Sequence, residues 1–153
     1  MLDDADSRPL AIGSDHAGLA LKQQLLAALA QLGAAYEDLG TYDENSCDYP
    51  DFAHAVARGV AVGRYRLGIL VCGTGLGMSM AANRHPGVRA AVCSSSFEAR
   101  MARQHNDANV LCLGARVIGV GVALETLNAF LAARFEGDRH ARRVAKIEPE
   151  FSG

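Results

Sequence analysis

Residues 68–78 read Gly68-Ile69-Leu70-Val71-Cys72-Gly73-Thr74-Gly75-Leu76-Gly77-Met78. The apolar run before the cysteine is typical of a strand buried on both faces, and the glycine-rich turn after it leads into a helical pattern. This order puts a thiol at the carboxyl end of a strand, beside the free N–H groups of a helix N-terminus. Those N–H groups and the helix dipole favour negative charge, so we expect an anion-binding turn and a reactive thiol at Cys72.

Short β-rich runs alternate with longer helical patterns on both sides of this stretch, which indicates repeated βαβ units. Five strands are predicted, at residues 10–14, 35–39, 67–72, 88–93 and 109–113. Helices are predicted at residues 19–32, 50–62, 76–84, 97–105, 121–135 and 139–146. Because βαβ crossovers are right-handed and place helices on both sheet faces, we expect a three-layer α/β/α sandwich with a Rossmann-like, five-stranded parallel sheet. The pattern leaves the order of the last two strands open.

The 153 residues are half apolar and carry a net charge of -2, which fits one domain with a single core. We place this domain at 9–153, with a helical tail at its C-terminal end, and predict a flexible N-terminal segment at 1–8. The first nine residues hold three aspartates and no apolar block, and they resemble neither a signal peptide nor a transit peptide. The sequence contains no run of about 18 apolar residues, so no membrane span is predicted. Thirteen arginines and two lysines in a near-neutral chain give no support for nucleic-acid binding. We therefore expect a cytoplasmic protein without nucleic-acid or membrane partners.

The four cysteines, Cys47, Cys72, Cys93 and Cys112, are scattered along the chain. They form no C-x-x-C pair and no zinc-ligand spacing, so we expect reduced thiols, no disulfide framework and no metal. A cysteine in a buried strand is commonly a small inert apolar residue, and Cys93 and Cys112 fit that interpretation. Cys72 differs because of the turn that follows it.

The turn after Cys72 has glycines at three alternate positions, Gly73, Gly75 and Gly77, with Thr74 between the first two. Glycine costs backbone entropy, so we expect open N–H groups and close approach of a ligand. The P-loop pattern is absent, and Met78 occupies the position where a dinucleotide fingerprint needs glycine and a thiol phosphatase needs arginine. The remaining interpretation is that Cys72 acts as a general base. The N–H groups around it would then face the oxyanion that forms when a proton next to a carbonyl is removed. An ordinary thiol is mostly protonated at pH 7, so the helix terminus or the bound substrate has to favour the thiolate.

Other polar residues follow strand ends, where ligands of open parallel sheets bind. Asp15 and His16 follow the first strand, Tyr49 the second and Arg116 the fifth. Asp15 is equally well interpreted as a helix N-cap and His16 as a surface residue. Position on a strand-to-helix turn favours a functional role for both.

Two further features lie near the ends of predicted helices. Arg139 and Arg143 are four residues apart, so their guanidinium groups lie on one helix face and can converge on a phosphate; the alternative is a solvated basic face. His105 is the acid–base candidate for opening a sugar ring, with a polar helix cap as the alternative. His54 and His85 lack comparable context and are interpreted as structural.

The ordered motifs resemble the type B ribose-5-phosphate isomerases, of the family that also holds galactose-6-phosphate and allose-6-phosphate isomerases. The resemblance covers residues 9–147. The motifs are Gly13-Ser14-Asp15-His16-Ala17-Gly18, Asp48-Tyr49-Pro50-Asp51-Phe52-Ala53, the stretch from Cys72 to Arg84, Arg103-Gln104-His105-Asn106-Asp107-Ala108-Asn109-Val110-Leu111, Gly114-Ala115-Arg116 and Arg139-His140.

The resemblance implies an aldose–ketose isomerase without cofactor or metal. It implies interconversion of D-ribose 5-phosphate and D-ribulose 5-phosphate through a cis-enediolate, in the non-oxidative branch of the pentose phosphate pathway. It also implies a homodimer or a dimer of dimers with active sites shared between subunits. By position, Cys72 is the base that moves a proton between C1 and C2, and Thr74 with the amides of Gly73, Gly75 and Gly77 holds the enediolate oxygen. The remaining roles are ring opening by His105 with Asn106 beside it, sugar contacts from Asp15, His16 and Tyr49, and phosphate contacts from Arg116, Arg139 and Arg143.

Three positions qualify the resemblance. Part of the family has a glutamate base where this chain has Met78, so the resemblance is to the cysteine branch. Asp138 stands where a second glycine is frequent and adds a carboxylate beside Arg139, and Ser14 replaces a frequent cysteine. Two alternatives stay open: an isomerase of another pentose or hexose 6-phosphate, and a non-catalytic flavodoxin-like module that binds a phosphorylated ligand.

Overall fold

The computed structural model describes residues 6–149. Residues 1–5 of the predicted flexible segment and residues 150–153 of the predicted tail lie outside the described residues. The described strands are β1 (Leu10–Ser14), β2 (Tyr36–Asp38), β3 (Gly68–Cys72), β4 (Ala90–Val92) and β5 (Val110–Gly114). The described helices are α1 (Leu19–Gln31), α2 (Tyr49–Ala61), α3 (Leu76–Ala82), α4 (Ser96–Asn106), α5 (Val120–Ala132) and α6 (Asp138–Val144).

All strand pairs are parallel, and the sheet has the order β2-β1-β3-β5-β4. β5 lies between β3 and β4, which resolves the order that the pattern left open. The chain leaves β1 in one direction to form β2 and returns on its other side to form β3. The predicted α/β class with a five-stranded parallel sheet is therefore confirmed, and the crevice between β1 and β3 is its topological switch point.

Helices cover both faces of the sheet because successive residues of each strand point to opposite faces. Ile69 and Val71 of β3 belong to one apolar cluster, together with buried residues of α1, α4 and α5. Leu70 and Cys72 belong to a second cluster, together with buried residues of α2 and α3. The side chain of Cys72 therefore lies on the α2 and α3 side of the sheet.

Predicted and observed boundaries differ most at the sheet edges and at α5. The edge strands β2 and β4 have three residues each, fewer than predicted, because an edge strand pairs on one side only. α5 ends at Ala132 rather than residue 135, and Ala133 is extended. The chain then turns towards α4, where the Glu136 N–H donates to the Gln104 carbonyl at 3.0 Å.

Lys22 is buried on the inner face of α1, with 1% of its surface exposed, which the apolar periodicity of that helix did not predict. Its ammonium group donates to the Asp38 carboxylate at 2.5 Å and to the Thr41 carbonyl at 2.7 Å. The pair fastens α1 to the carboxyl end of β2. Helices in the described part of the chain reach 13 residues, and none is long and apolar enough to cross a membrane.

Candidate active site

Cys72 ends β3 at the carboxyl edge of the sheet, next to the switch point. Its side chain is buried, with 5% exposed, and Sγ accepts a hydrogen bond from the Gly75 N–H at 3.1 Å. α3 begins directly after this turn, at Leu76. The predicted geometry of a thiol facing backbone N–H groups at a strand-to-helix turn is therefore present.

The glycines of this turn have packing reasons that the sequence analysis did not identify. Gly75 has φ +78°, and a Cβ there would lie 3.1 Å from the backbone of Leu113 in β5. A Cβ on Gly77 would lie 2.6 Å from the ring of Tyr49. The expectation that all three N–H groups are open is wrong for Gly75, because its N–H is bound to Cys72 Sγ.

Two predicted residues contact the two ends of the turn. The Tyr49 ring, at the start of α2, covers Gly77, and the Arg116 guanidinium lies over Gly73, with Nη1 3.5 Å from where a Cβ would be. The Arg116 N–H also donates to the Gly73 carbonyl at 3.0 Å. Thr74 is exposed between them. A small ligand above the turn would meet an aromatic ring, a hydroxyl and a cation.

Asp15 and His16 lie beside the end of β3, since the Asp15 N–H donates to the Val71 carbonyl at 3.2 Å. The Asp15 carboxylate is buried and accepts from the Gly18 N–H at 3.0 Å within the turn before α1. The N-cap of α1 is Gly18, so the interpretation of Asp15 as the N-cap is wrong. His16 Nδ1 accepts from the Cys47 N–H at 3.2 Å. With Nδ1 an acceptor, the neutral ring carries its proton on Nε2. We call this group of residues the carboxyl-edge cluster: Asp15, His16, Tyr49, Cys72, Thr74 and Arg116.

The remaining predicted residues lie at the opposite edge of the sheet. His105 and Asn106 end α4, and β5 begins at Val110, so they precede the strand whose far end adjoins Cys72. Arg139 and Arg143 are exposed on α6, which packs against α4. A five-residue strand spans about 13–17 Å, so one chain does not bring the two groups together.

This second group has two members that sequence reasoning missed. The rings of His105 and His140 stack, with centroids 4.2 Å apart and planes inclined by 7°. Glu136 Oε2 lies 4.0 Å from His105 Nε2 and 3.6 Å from His140 Nε2. Burial lowers the pKa of His140, the neighbouring His105, Arg139 and Arg143 lower it further, and the Glu136 carboxylate opposes them. We call these residues the amino-edge cluster: His105, Asn106, Glu136, Arg139, His140 and Arg143.

The sequence signal for these members is the four-residue spacing of Glu136 and His140 next to Arg139. This spacing indicates a site only once α4, which carries His105, is known to pack beside α6. Among residues 6–149, Asp138 forms no ion pair with Arg139, so the extra carboxylate does not engage that proposed phosphate ligand.

The other thiols and histidines lie outside both clusters or in inert surroundings. All four cysteines are free. Burial raises the pKa of the Cys93 thiol to about 12 and also raises the pKa of Cys112, which disfavours their thiolates. His54 Nδ1 and His85 Nε2 are 2.8 Å apart and bind each other.

Comparison with known proteins connects this arrangement to a family. A family model described as Ribose/Galactose Isomerase matches residues 10–147. The chain is 46% identical to ribose-5-phosphate isomerase B of Escherichia coli K12, over 92% of this chain and 94% of that protein. It is 44% identical to D-erythrulose-4-phosphate isomerase of Pectobacterium atrosepticum, over 90% of this chain and 91% of that protein. A solved structure of ribose-5-phosphate isomerase B from Mycoplasma genitalium with bound ribulose 5-phosphate has a TM-score of 0.88 and 45% identity, covering 92% of this chain and 94% of that one.

The parallel sheet, with a buried thiol at a strand-to-helix turn, and these matches together define the class of protein as an α/β isomerase of sugar phosphates. Because the family model and the relatives span nearly the whole described chain, the chain belongs to the ribose/galactose isomerase family. The resemblance to type B ribose-5-phosphate isomerases is thereby confirmed.

Proposed function

We propose that this chain interconverts D-ribose 5-phosphate and D-ribulose 5-phosphate, with Cys72 as the base. The observation that carries the proposal is the buried Cys72 Sγ, 3.1 Å from the Gly75 N–H, in a turn flanked by Tyr49 and Arg116. The names of the relatives from Escherichia coli and Mycoplasma genitalium support the choice of sugar. A sensor module would leave the buried thiol without a task.

The proposed reaction needs one base and an oxyanion site. The Cys72 thiolate removes the proton from C2 of the open-chain aldose, and the electron pair forms the enediolate with its charge on O1. Thr74 and the Gly73 and Gly77 amides hold that oxygen. Cys72 then returns the proton to C1, and the proton of the O2 hydroxyl passes to O1, so that C2 becomes the ketone and C1 the hydroxymethyl group.

We further propose that each active site combines the carboxyl-edge cluster of one subunit with the amino-edge cluster of another. An open-chain pentose phosphate is too short to reach both edges of one sheet, yet it needs a base, a ring-opening acid and phosphate ligands together. In a homodimer, or a dimer of dimers, His105 of one copy would open the ring above Cys72 of the other. Arg139 and Arg143 would then share the phosphate with Arg116.

Subunit mixing tests the shared site. Cys72→Ala and His105→Asn variants, each nearly inactive, are combined under conditions that exchange subunits. In a two-fold symmetric dimer with shared sites, half of the random dimers are mixed and carry one intact site, so about a quarter of wild-type activity returns. Sites confined to one chain would give no recovery.

A matched mixture makes this result specific. Cys72→Ala combined with Arg116→Ala places both changes in the carboxyl-edge cluster, so every site of a mixed dimer stays defective. We expect no recovery there. Recovery in this control mixture, or none in the first one, would contradict the shared site.

The identity of the sugar is tested by kinetics. One relative, 44% identical, is named for D-erythrulose 4-phosphate, a sugar shorter than ribose 5-phosphate. The hexose 6-phosphates of the family are the longer alternative substrates. We expect the highest kcat/KM with ribose 5-phosphate among tetrulose, pentose and hexose phosphates. That result would place the reaction in the non-oxidative pentose phosphate branch. The four free cysteines fit the reducing cytoplasm as its compartment.

A further inference from the structure

The loop between β2 and α2, residues 42–48, is attached at both ends to the turn that joins β1 to α1. Just before the loop, the Thr41 N–H donates to the Ser14 carbonyl at 2.7 Å. Near its far end, the Cys47 N–H donates to His16 Nδ1 at 3.2 Å. Ser14 and His16 are separated by a single residue. The loop therefore leaves from one short turn and returns to it.

Between these two attachments the loop is open to solvent. Residues 42–46 are exposed, and Cys47 is half-buried. In the part of the chain that the structure describes, the hydrogen bonds of residues 43–47 stay within the loop, apart from those that join Cys47 to His16. The position of the loop and the orientation of the His16 ring therefore depend on each other.

Lys22, on α1, fixes the start of the loop. Its side chain is 1% exposed, and its ammonium group donates to the Asp38 carboxylate at 2.5 Å and to the Thr41 carbonyl at 2.7 Å. The same Asp38 oxygen accepts from the Gly40 N–H at 3.0 Å. The ammonium group also lies 5.1 Å from the centroid of the Tyr42 ring. One buried cation therefore holds the last residue of β2 and the first residue of the loop together.

Stability alone does not explain a buried ammonium group at this position. Desolvation offsets much of the attraction within a buried ion pair, so apolar side chains of similar volume often stabilise a fold equally well. An apolar side chain cannot bind a carbonyl and a carboxylate in fixed directions. The geometry that Lys22 specifies is the path of the chain from β2 into the loop that ends against His16.

The bond from Cys47 selects one state of the His16 ring. A backbone N–H can donate to a ring nitrogen only where that nitrogen has a lone pair, so the neutral ring carries its proton on Nε2. The His16 side chain is half-buried, and Nε2 has no hydrogen-bond partner among residues 6–149. The ring therefore keeps one N–H donor available at the carboxyl edge, and every polar group of a sugar phosphate offers an oxygen acceptor.

We propose that Lys22 and Cys47 are positioning residues that hold His16 as a neutral ring, which donates a hydrogen bond from Nε2 to the substrate. Lys22 acts through Thr41 at the start of the loop, and Cys47 acts through its backbone N–H rather than its thiol. The contact with the substrate rests on the proposed function. The state of the His16 ring and its dependence on the loop do not.

The state of the ring is tested on the full chain without turnover. Long-range ¹H–¹⁵N correlation distinguishes protonated from unprotonated ring nitrogens, and the His16 signals are those that His16→Ala lacks. We expect a protonated Nε2 in the wild type and in Cys47→Ala, which keeps the backbone N–H. Cys47→Pro removes that N–H, so both ring nitrogen shifts should move towards the average of the two tautomers. A proton on Nδ1 in the wild type, or unchanged shifts in Cys47→Pro, would overturn the proposal.

Kinetics tests whether the positioned donor serves the substrate. Cys47→Pro and Lys22→Met should each lower kcat/KM for ribose 5-phosphate by about tenfold, the effect of losing one hydrogen bond. In a His16→Ala background neither change should lower kcat/KM further, because the residue that they position is already gone. A structural role without positioning would give the same loss in both backgrounds, and that result would refute the proposal.

Two safeguards separate positioning from unfolding. All variants are assayed where circular dichroism shows them to be folded, and Asp38→Asn, which weakens the same anchor while keeping its shape, replaces Lys22→Met if that variant does not fold. Folded anchor variants with wild-type kcat/KM would contradict the role of Lys22. A wild-type chain with the expected ring state but no turnover of any sugar phosphate would contradict the proposed function and leave the positioning of His16 supported.

Discussion

At the carboxyl edge of the sheet, the buried Cys72 precedes a turn whose backbone packs against the backbone of β5. At the amino edge, the functional side chains project from helix ends, and 38% of His105 and 48% of Glu136 are exposed. The shape of the first region depends on close packing with the sheet. Apart from buried His140, the second region consists of surface side chains on helices that are already formed. We therefore expect changes at the carboxyl edge to affect stability and activity together, and changes at the amino edge to affect activity or binding alone.

The largest expected effect is a loss of turnover on changing Cys72 that does not occur on changing its buried neighbour Cys112. Cys72→Ala should lower kcat by about 10²- to 10⁴-fold, because the general base is lost. Cys112→Ala is the matched change on the adjacent strand and should keep kcat near wild type with a comparable loss of stability. Steady-state kinetics and thermal denaturation of both variants decide the outcome. Wild-type turnover in folded Cys72→Ala would remove this thiol as the base.

The second prediction concerns the buried pair at the carboxyl end of β2. Asp38→Ala should destabilise the fold by about 3 kcal/mol, because the buried Lys22 ammonium loses its counter-charge. Arg64→Ala breaks an exposed pair with Glu37 of the same strand and should lower stability far less. Urea denaturation measures both. Equal losses would contradict the asymmetry between buried and exposed pairs.

The third prediction compares two glycines. A Cβ on Gly114 would lie 2.7 Å from the Thr74 carbonyl, so Gly114→Ala should destabilise by about 1–3 kcal/mol and raise KM by displacing the turn. Gly121 lies in α5 with nothing within 4 Å, so Gly121→Ala should stabilise by up to about 1 kcal/mol. Opposite signs in chemical denaturation are the expected result. A neutral Gly114→Ala would mean that the turn yields to the added methyl group.

The smallest effect tests acid sensitivity outside both clusters. Burial lowers the pKa of His85, and the neighbouring His54 and Arg58 lower it further. The unfolded chain therefore takes up this proton more readily, and stability should decline as pH falls below about 6.5. His85→Gln should flatten that part of the stability profile, measured as Tm between neutral and mildly acidic pH. An unchanged slope would assign the acid sensitivity to another group.

The central strands were predictable because each is a continuous apolar run. β1 was predicted with its observed bounds, β3 begins one residue later than predicted, and β5 is shifted by one residue at both ends. The edge strands were predicted two and three residues too long, although Ala35 and Leu39 beside β2, and Cys93 beside β4, still share backbone hydrogen bonds with the neighbouring strands. Cys72 and its glycine turn were predictable for the same local reason, because a strand end, glycines and a helix start are adjacent in the chain.

Tertiary structure alone decided the features that depend on distant contacts. The sequence by itself determined the α/β class, the thiol turn and the candidate residues, because periodicity and spacing are local properties of a chain. Insertion of β5 between β3 and β4, burial of Lys22 against Asp38 and stacking of His105 on His140 each join segments far apart in sequence. The same packing separated His105 from Cys72 by the length of a strand. Such partnerships follow from how helices and strands pack together, which no local pattern encodes.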